Sequence, residues 1–548
     1  MKYDTWSPSL SRECVEKHEI RRQRRFGGSR RAGRGRLARS FLLGSVSVLI
    51  VLGGAQAADL PAKAKAIEYV KVCSPSGAGF YYIPGTDTCL KLGGYLRVDV
   101  VANANGVGTG NYAGPGGAQN RYTNGYTWRS REKLSVDTRT ATEYGVVRSY
   151  FEGVYSWTVG SSAGQGNGST LYDGGAQNNA SNGVVAGGSL GVYYAFIQFA
   201  GFTIGKAVSR SSAPWINYPG NIFDGLVGGS GTLTGVNQFA YTAEFGQGIS
   251  ATISAEDPTA YYQAGVLNTN VTSGNSPFGT SDYAGTISPD IVGMVRVDQA
   301  WGLFQASVAL HNNHAAYYGG TELTGHPQDK WGWAGQLALS IKNIPTGPGD
   351  RINIQGVYTN GASRYNFTPD QASQAGAAII YGGTSLGGAY QSVGYGFAPD
   401  TVFGTLPDGT NSSQQLVSTW GFRGAYTHNW DPYWSSSIYG AYAAVSYNGT
   451  AKALICGING AGGSFRTQLN ANLSSCNPDY SIGQLGFTTG WTPVKNLTFT
   501  ADLTYTMLAQ KMLGTVNAPS TAIGKPAATY ELKDQNTLTL MLRAQRNW

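Results

Sequence analysis

In the stretch Thr127–Arg139, TWRSREKLSVDTR, the residues Arg129, Arg131, Lys133, Ser135, Asp137 and Arg139 recur at every second position. A side-chain period of two places them all on one face of an extended segment. Arg97 and Asp99 in LRVDVV, and Arg148 and Glu152 in VVRSYFEGVY, sit in similar alternating stretches. Fixed cations with a minority of carboxylates break no bonds by themselves. Their chemistry is electrostatic: beside water they sort ions by sign and orient polar solutes. A further segment, Ala207–Gly235, is apolar and punctuated by Pro and Gly, with Asp224 as its one carboxylate. Folded opposite the cations, it would complete a transverse field across a narrow passage. The plainer alternative is a wall that is merely solvated.

Other chemistries find less support. Beyond the first 57 residues the histidines are His311, His314, His326 and His428. None stands in a nucleophile or metal motif, and HNNH at 311–314 is expected to be a surface pair at a strand end. No G-x-S-x-G elbow or phosphate-binding Gly-rich loop stands out, so no enzyme is expected. The cysteines in this part are Cys73, Cys89, Cys456 and Cys476. Three connectivities are possible, of which the local pairs Cys73–Cys89 and Cys456–Cys476 are the natural expectation in an oxidising compartment. No His or C-x-x-C lies at ligand spacing, so neither a metal nor any other cofactor is called for.

The start of the chain has a different character. Arg21–Arg39 is intensely basic, an apolar run covers Phe41–Leu52, and Ala55-Gln56-Ala57 follows. A charged region, a short apolar core and an A-x-A site define a secretory leader over 1–57, with cleavage expected before Ala58. The full chain carries 39 Lys+Arg and 31 Asp+Glu, of which 12 and 4 lie in residues 1–57, leaving 27 of each. The remainder is formally neutral, which removes the charge argument for binding nucleic acid.

The elements that must hold the charges are legible from alternation. KWGWAGQLALSIK, DRINIQGVYT, WGFRGAYTHNW, SSSIYGAYAAVSY, LTFTADLTYTML and NTLTLMLRAQRNW all alternate apolar with polar. Aromatics make up 12% and charged residues only 13% of the chain, half the charge of ordinary soluble domains. About sixteen strands are expected, beginning near Leu90, Trp128, Tyr144, Gly188, Phe202, Val236, Gly248, Pro289, Leu303, Lys330, Asp350, Gln415, Trp434, Tyr480, Leu497 and Gln535. Short connections such as 140–143, 299–302 and 430–433 take turns with long Gly/Asn/Ser-rich ones such as 102–126, 158–187, 257–286, 362–414, 448–479 and 510–534. A soluble propeller would show a fixed repeat period, and none is found.

Strands can cross lipid only when their backbone groups are satisfied by closure, and about sixteen strands leave a bore wide enough for water. The expected fold is therefore all-β: a 16-stranded antiparallel transmembrane barrel over 90–548, preceded by a periplasmic segment 58–89 with its cysteine pair. Leu96, Val98, Val100, Leu134 and Val136 would face lipid. A cation there costs roughly 2–4 kcal/mol at the midplane, which sends Arg97, Arg129, Arg131, Lys133 and Arg148 inward. Glu132 breaks the pattern and is expected at the membrane interface. Trp548 ends the chain with Leu538, Leu540, Leu542 and Ala544 on one side of the alternation.

EYVKVCSPSGAGFYYIPGTDTCLKLGGYLRVDV at 68–100 closely resembles the start of mature general-diffusion porins of alphaproteobacterial outer membranes. YTWRSREKLSVDTRTATEYGVVRSYFE, SPDIVGMVRVDQAWG and the terminal RAQRNW resemble the same family. The resemblance runs from about Ala58 to Trp548. It implies a homotrimer in outer-membrane lipid and lipopolysaccharide, passive diffusion of ions and small hydrophilic solutes, and an inward-folded third loop over 207–235. It also implies a pore-lining strand at Arg129, Arg131 and Lys133, faced by Asp224. The long leader and the insertions 362–414 and 448–479 depart from the family pattern. A substrate-specific channel, for example for sugars guided by Trp215, Tyr218 and Phe223, is the alternative function.

Overall fold

The computed structural model describes residues 71–103, 125–159, 189–229, 231, 234–271, 279–367, 379–382, 392–457, 463–518 and 527–548. The expected leader at 1–57 lies outside them. Sixteen long strands form the wall. They are β1 (Thr88–Ala102), β2 (Tyr126–Thr142), β3 (Gly145–Val159), β4 (Ser189–Phe199), β5 (Phe202–Ala207), β6 (Val236–Gly246), β7 (Ile249–Glu256) and β8 (Asp290–Gln299). The second half comprises β9 (Gly302–Asn313), β10 (Lys330–Lys342), β11 (Arg351–Asn360), β12 (Ser418–Asn429), β13 (Trp434–Ser446), β14 (Tyr480–Val494), β15 (Leu497–Gln510) and β16 (Gln535–Asn547). Each pairs antiparallel with its neighbour in the chain, and β16 pairs with β1, as in Val100 opposite Leu542. The sheet is thus closed and has no edge to satisfy.

The pleat sorts side chains as the alternation requires. On β9, Gln305, Ser307, Ala309 and His311 are buried inward, while Phe304, Val308 and Leu310 are exposed on the outer wall. On β16, Thr537 and Met541 face in and Leu538, Leu540 and Leu542 face out. Exposed aromatics mark both rims of the outer face: Tyr126, Trp128, Trp157, Trp331 and Trp420 at the long-loop end, and Tyr144, Phe245, Trp301, Trp430, Tyr433 and Trp548 at the short-turn end. Such girdles sit at the two lipid–water interfaces. Glu132 pairs with Leu96 and Tyr155, both exposed outward. It therefore lies on the outer face, two residues from Leu134, whose partner Gly94 packs against the Trp548 ring.

Tight turns join strands at one end. Between β2 and β3, Gly145 takes φ 116°, a conformation other residues adopt only with strain, and Tyr144 N–H donates to Thr142 Oγ1 at 3.3 Å. The same end carries residues 71–87, tied to the wall by a Cys73–Cys89 disulfide and the pairing of Tyr81–Tyr82 with Leu90 and Cys89. Trp548 closes the seam there, exchanging backbone hydrogen bonds of 3.2 Å with Gly94, against which its ring packs. A side chain at Gly94 would collide with that ring and with the Lys133 carbonyl.

At the other end the long loops turn inward. A continuous apolar core joins Phe367, Tyr395, Phe397 and Val402, Leu454, Ile455 and Phe465, and Met512, Tyr530 and Leu532. It packs on Tyr439, Ala441, Ala443 and Val445 of β13 and on Ile482 of β14. Two short helices, α1 (Gly449–Cys456) and α2 (Ser464–Leu469), belong to this core; Asn448 caps α1 by accepting from Ala451 N–H at 2.9 Å. The Cys456–Cys476 disulfide staples their loop. Both expected cysteine pairs are therefore formed.

Candidate functional site: a charged wall facing an inward loop

Strands β1 to β3, of 15, 17 and 15 residues, carry the charges, and register brings them together. Asp99 stands opposite Arg129 across β1–β2 and opposite Arg543 across β1–β16. Its fully buried carboxylate accepts from Arg129 Nη2 at 2.5 Å and from Arg543 Nε at 2.7 Å. Lys133 Nζ lies 2.9 Å from Glu152, which also accepts from the Tyr150 hydroxyl at 2.8 Å. Nearer the short turns, Asp137 receives Arg148 through two bonds of 2.9 Å and Arg139 through one of 3.2 Å.

Higher on this wall, Arg97 and Arg131 have no carboxylate at contact distance among the described residues. Arg97 Nε donates to Gln545 at 2.7 Å and its guanidinium lies 4.3 Å from the Tyr95 ring centre. Arg131 Nε donates to Ser156 at 2.9 Å, with its guanidinium 5.6 Å from the Tyr193 ring centre. Such partners fix a guanidinium without neutralising it.

The described residues of the segment 208–235 follow β5, at six residues the shortest of the sixteen wall strands, and cross into the lumen. Lumen-facing side chains of the far wall hold its backbone. Arg423 on β12 donates to the Leu226 and Ile216 carbonyls at 3.0 and 2.6 Å, and Asn353 to the Pro219 carbonyl at 2.9 Å. Gln484 accepts from Val227 N–H at 2.8 Å, and Asp502 accepts from Ile222 N–H at 2.7 Å. Ser307 and Gln336 reach the Ser211 carbonyl at 3.1 and 2.7 Å. This strapping satisfies loop backbone that burial would otherwise leave unpaired. On the loop, Asp224 accepts from the Tyr218 hydroxyl, and its charge acts on Arg131.

The structure therefore brings Arg97, Asp99, Arg129, Arg131, Lys133 and Glu152 onto one wall, with Arg148 lower down and Asp224 on the loop. Sequence reasoning missed Arg543 and Arg423. Arg543 lies in the inward register of NTLTLMLRAQRNW and Arg423 in that of WGFRGAYTHNW, between the outward Trp420 and Phe422 and the inward Ala425, so both were legible as lumen-facing. Trp215 and Phe223 do not form a free aromatic path. The Trp215 indole donates to Gln355 at 2.6 Å, and Phe223 packs against Tyr439.

HNNH is not a surface pair. His311 is fully buried: its Nδ1 lies 2.7 Å from Asp290, its Nε2 3.1 Å from the Tyr283 hydroxyl and 3.5 Å from Asp400. Only His314 is partly exposed, beside Asp329 at 2.7 Å. The reason is parity: residue 311 faces the lumen, where the loops cover it. Asp400, on the loop, loses solvation by burial, yet bonds from His311 and from the Ser363 and Ala264 N–H groups hold its carboxyl below the ordinary range. No group of three or more metal-binding side chains occurs among the described residues.

A closed sheet with an apolar outer wall, aromatic girdles and an ionised bore defines a transmembrane β-barrel of the outer membrane. The model of the porin subfamily matches residues 58–541, and the chain belongs to that family. Porin Omp2b of Brucella suis biovar 1 (strain 1330) is 31% identical over 274 residues, covering 50% of this chain and 65% of that protein. Omp2b of Brucella melitensis biotype 1 gives the same identity and coverage, again 31%, 50% and 65%. The chain thus matches about two-thirds of these relatives' length, 65%. The outer membrane channel DcaP of Acinetobacter baumannii is similar over 85% of this chain and 99% of its own, with 15% identity and a TM-score of 0.48. An anion-selective porin from Comamonas acidovorans is similar over 84% and 100%, with 10% identity and a TM-score of 0.40. The family and these relatives are channels rather than enzymes.

Proposed function

We propose that this chain forms a water-filled outer-membrane channel for passive diffusion of ions and small hydrophilic solutes, and catalyses no reaction. The observation that carries this reading is the pairing of a closed barrel with two unneutralised lumen cations, Arg97 and Arg131, facing the Asp224 loop. A field across a narrow wet passage orients polar solutes and disfavours apolar ones. Because loop core fills the β13–β14 side, the passage runs along β1–β4, and Arg97, Asp99, Arg129, Arg131, Lys133, Glu152 and Asp224 line its narrowest part. Arg148 lies on the same wall below it. The working form is a homotrimer set in lipid and lipopolysaccharide, with the 58–89 segment on the periplasmic side and the barrel over 90–548.

Purified protein in a planar bilayer tests this. Ohmic single-channel current that does not saturate with added sugar is expected, together with heat-modifiable gel migration. Block by micromolar sugar would move the assignment to a substrate-specific channel. No current from correctly folded oligomers would end the channel reading.

A further inference from the structure

Below the inward loop, toward the short turns, the lumen holds a cavity of about 610 Å³. Four guanidiniums reach its lining, from Arg139, Arg148, Arg210 and Arg296, against a single carboxylate, that of Glu244. Arg139 and Arg148 share one counter-charge, Asp137. The other two have none at contact distance. Arg210 Nε donates to the Gln238 amide oxygen at 3.1 Å, and Arg296 donates twice to that of Gln305, at 3.0 and 2.7 Å. Glu256 is engaged by the Arg210 backbone N–H at 2.8 Å rather than by its guanidinium. Carboxylates beyond contact distance act on each, Glu256 on Arg210 and Asp298 and Glu244 on Arg296, and the Arg296 charge also reaches Arg210. Amide oxygens orient each side chain while leaving its charge intact, and the remaining N–H groups of Arg210 have no acceptor among the described residues.

Two like charges held near one another in a partly desolvated cavity repel unless an anion joins them. Planar guanidiniums bind tetrahedral oxyanions through paired hydrogen bonds. The Thr203 and Ser250 hydroxyls on the same lining, and one of the mutually bonded Thr242 and Thr252, offer further donors.

We propose that this cavity is a binding site for small phosphate-type oxyanions, with Arg210 and Arg296 as its primary ligands and Arg148 as a secondary one. It is separate from the Arg97–Arg131 wall, and it rests on the channel reading only for the route by which the anion arrives. Occupancy would neutralise a repulsive pair and place an anion store directly below the narrowest part of the bore.

Equilibrium binding of inorganic phosphate to the detergent-purified full chain tests the site without reference to conduction. Saturable binding is expected, at ionic strength held constant with chloride. Arg210→Gln combined with Arg296→Gln should weaken it at least about tenfold, while Lys495→Gln, on a distant turn, leaves it unchanged. Arg210→Lys with Arg296→Lys should restore part of the affinity, separating charge from folding. Absence of saturable binding to the folded wild type would overturn the proposal. So would an equal loss from Arg97→Gln with Arg131→Gln, which would place the anion on the upper wall. A chain that binds phosphate but carries no current would defeat the channel reading and leave the site standing.

Discussion

The two sides of the bore are built from the same pleated strands and end differently. Along β1–β3 the inward positions carry Arg97, Arg131 and Lys133, which stay partly exposed, and Asp99, Arg129 and Glu152, which are buried in ion pairs. Along β12–β14 they carry Ala425, Ala441, Ala443, Val445 and Ile482, which are buried under loop core. Small and aliphatic inward residues gain by being covered, at roughly 25 cal/mol for each Å² of apolar surface removed from water. Ionised residues lose hydration on covering and so keep loops away unless every charge is matched. Arg423 shows the exception on the covered side: a fully buried guanidinium tolerated because two loop carbonyls receive it.

The largest expected effect tests whether the charged wall is also a structural seam. Asp99→Asn leaves Arg129 and Arg543 facing each other without a carboxylate, across the closure between β1 and β16. Breaking so buried a triad should cost about 3–5 kcal/mol, read as a lowered denaturant midpoint for loss of heat-modifiable migration. An unchanged midpoint would mean these cations are hydrated after all. On the covered side, Arg423→Met should cost about 1.5–3 kcal/mol by stranding the Leu226 and Ile216 carbonyls. Limited proteolysis should then cut within 208–229, where the wild type resists.

Selectivity separates neutralised from free charge. Arg97→Gln with Arg131→Gln should shift the reversal potential in a salt gradient toward cations, by less than a tenfold change in permeability ratio, below about 1.4 kcal/mol. Lys133→Gln should move it less, because Glu152 already cancels that charge. Equal shifts would show that ion pairing on this wall does not decide the field.

The smallest effect concerns the turn before β11. Asp350 is deprived of solvent, but donors from Thr346, the Asn429 N–H, His428 and Tyr426 hold its carboxyl well below the usual range. A depressed folded pKa contributes stability above the unfolded value near 3.9, and that contribution is lost as pH falls through the folded value. Unfolding midpoints followed below pH 4 should decline less steeply in Asp350→Asn than in the parent. Matching slopes would remove Asp350 from the turn's stability.

Much of this was legible in advance. The expected strand starts fall within three residues of those observed, from Leu90 against Thr88 to Gln415 against Ser418. The facing of Arg97, Arg129 and Arg131, and the two local cysteine pairs, followed from alternation and spacing. Arg543 beside Asp99 did not, because the two meet only when the last strand closes on the first, 444 residues away. Nor did the burial of His311, since parity says which side a residue faces and not what covers that side.

Period-two patterning, the lipid penalty on charge and the alternation of short and long connections are local properties, written in neighbouring residues, and they determined a barrel and which side chains turn toward its bore. Which charges cancel, which half of the lumen is filled and where unpaired guanidiniums gather depend on contacts between distant segments. Those contacts are set by closure and by loops competing with water for the inner wall, and only the folded chain decides them.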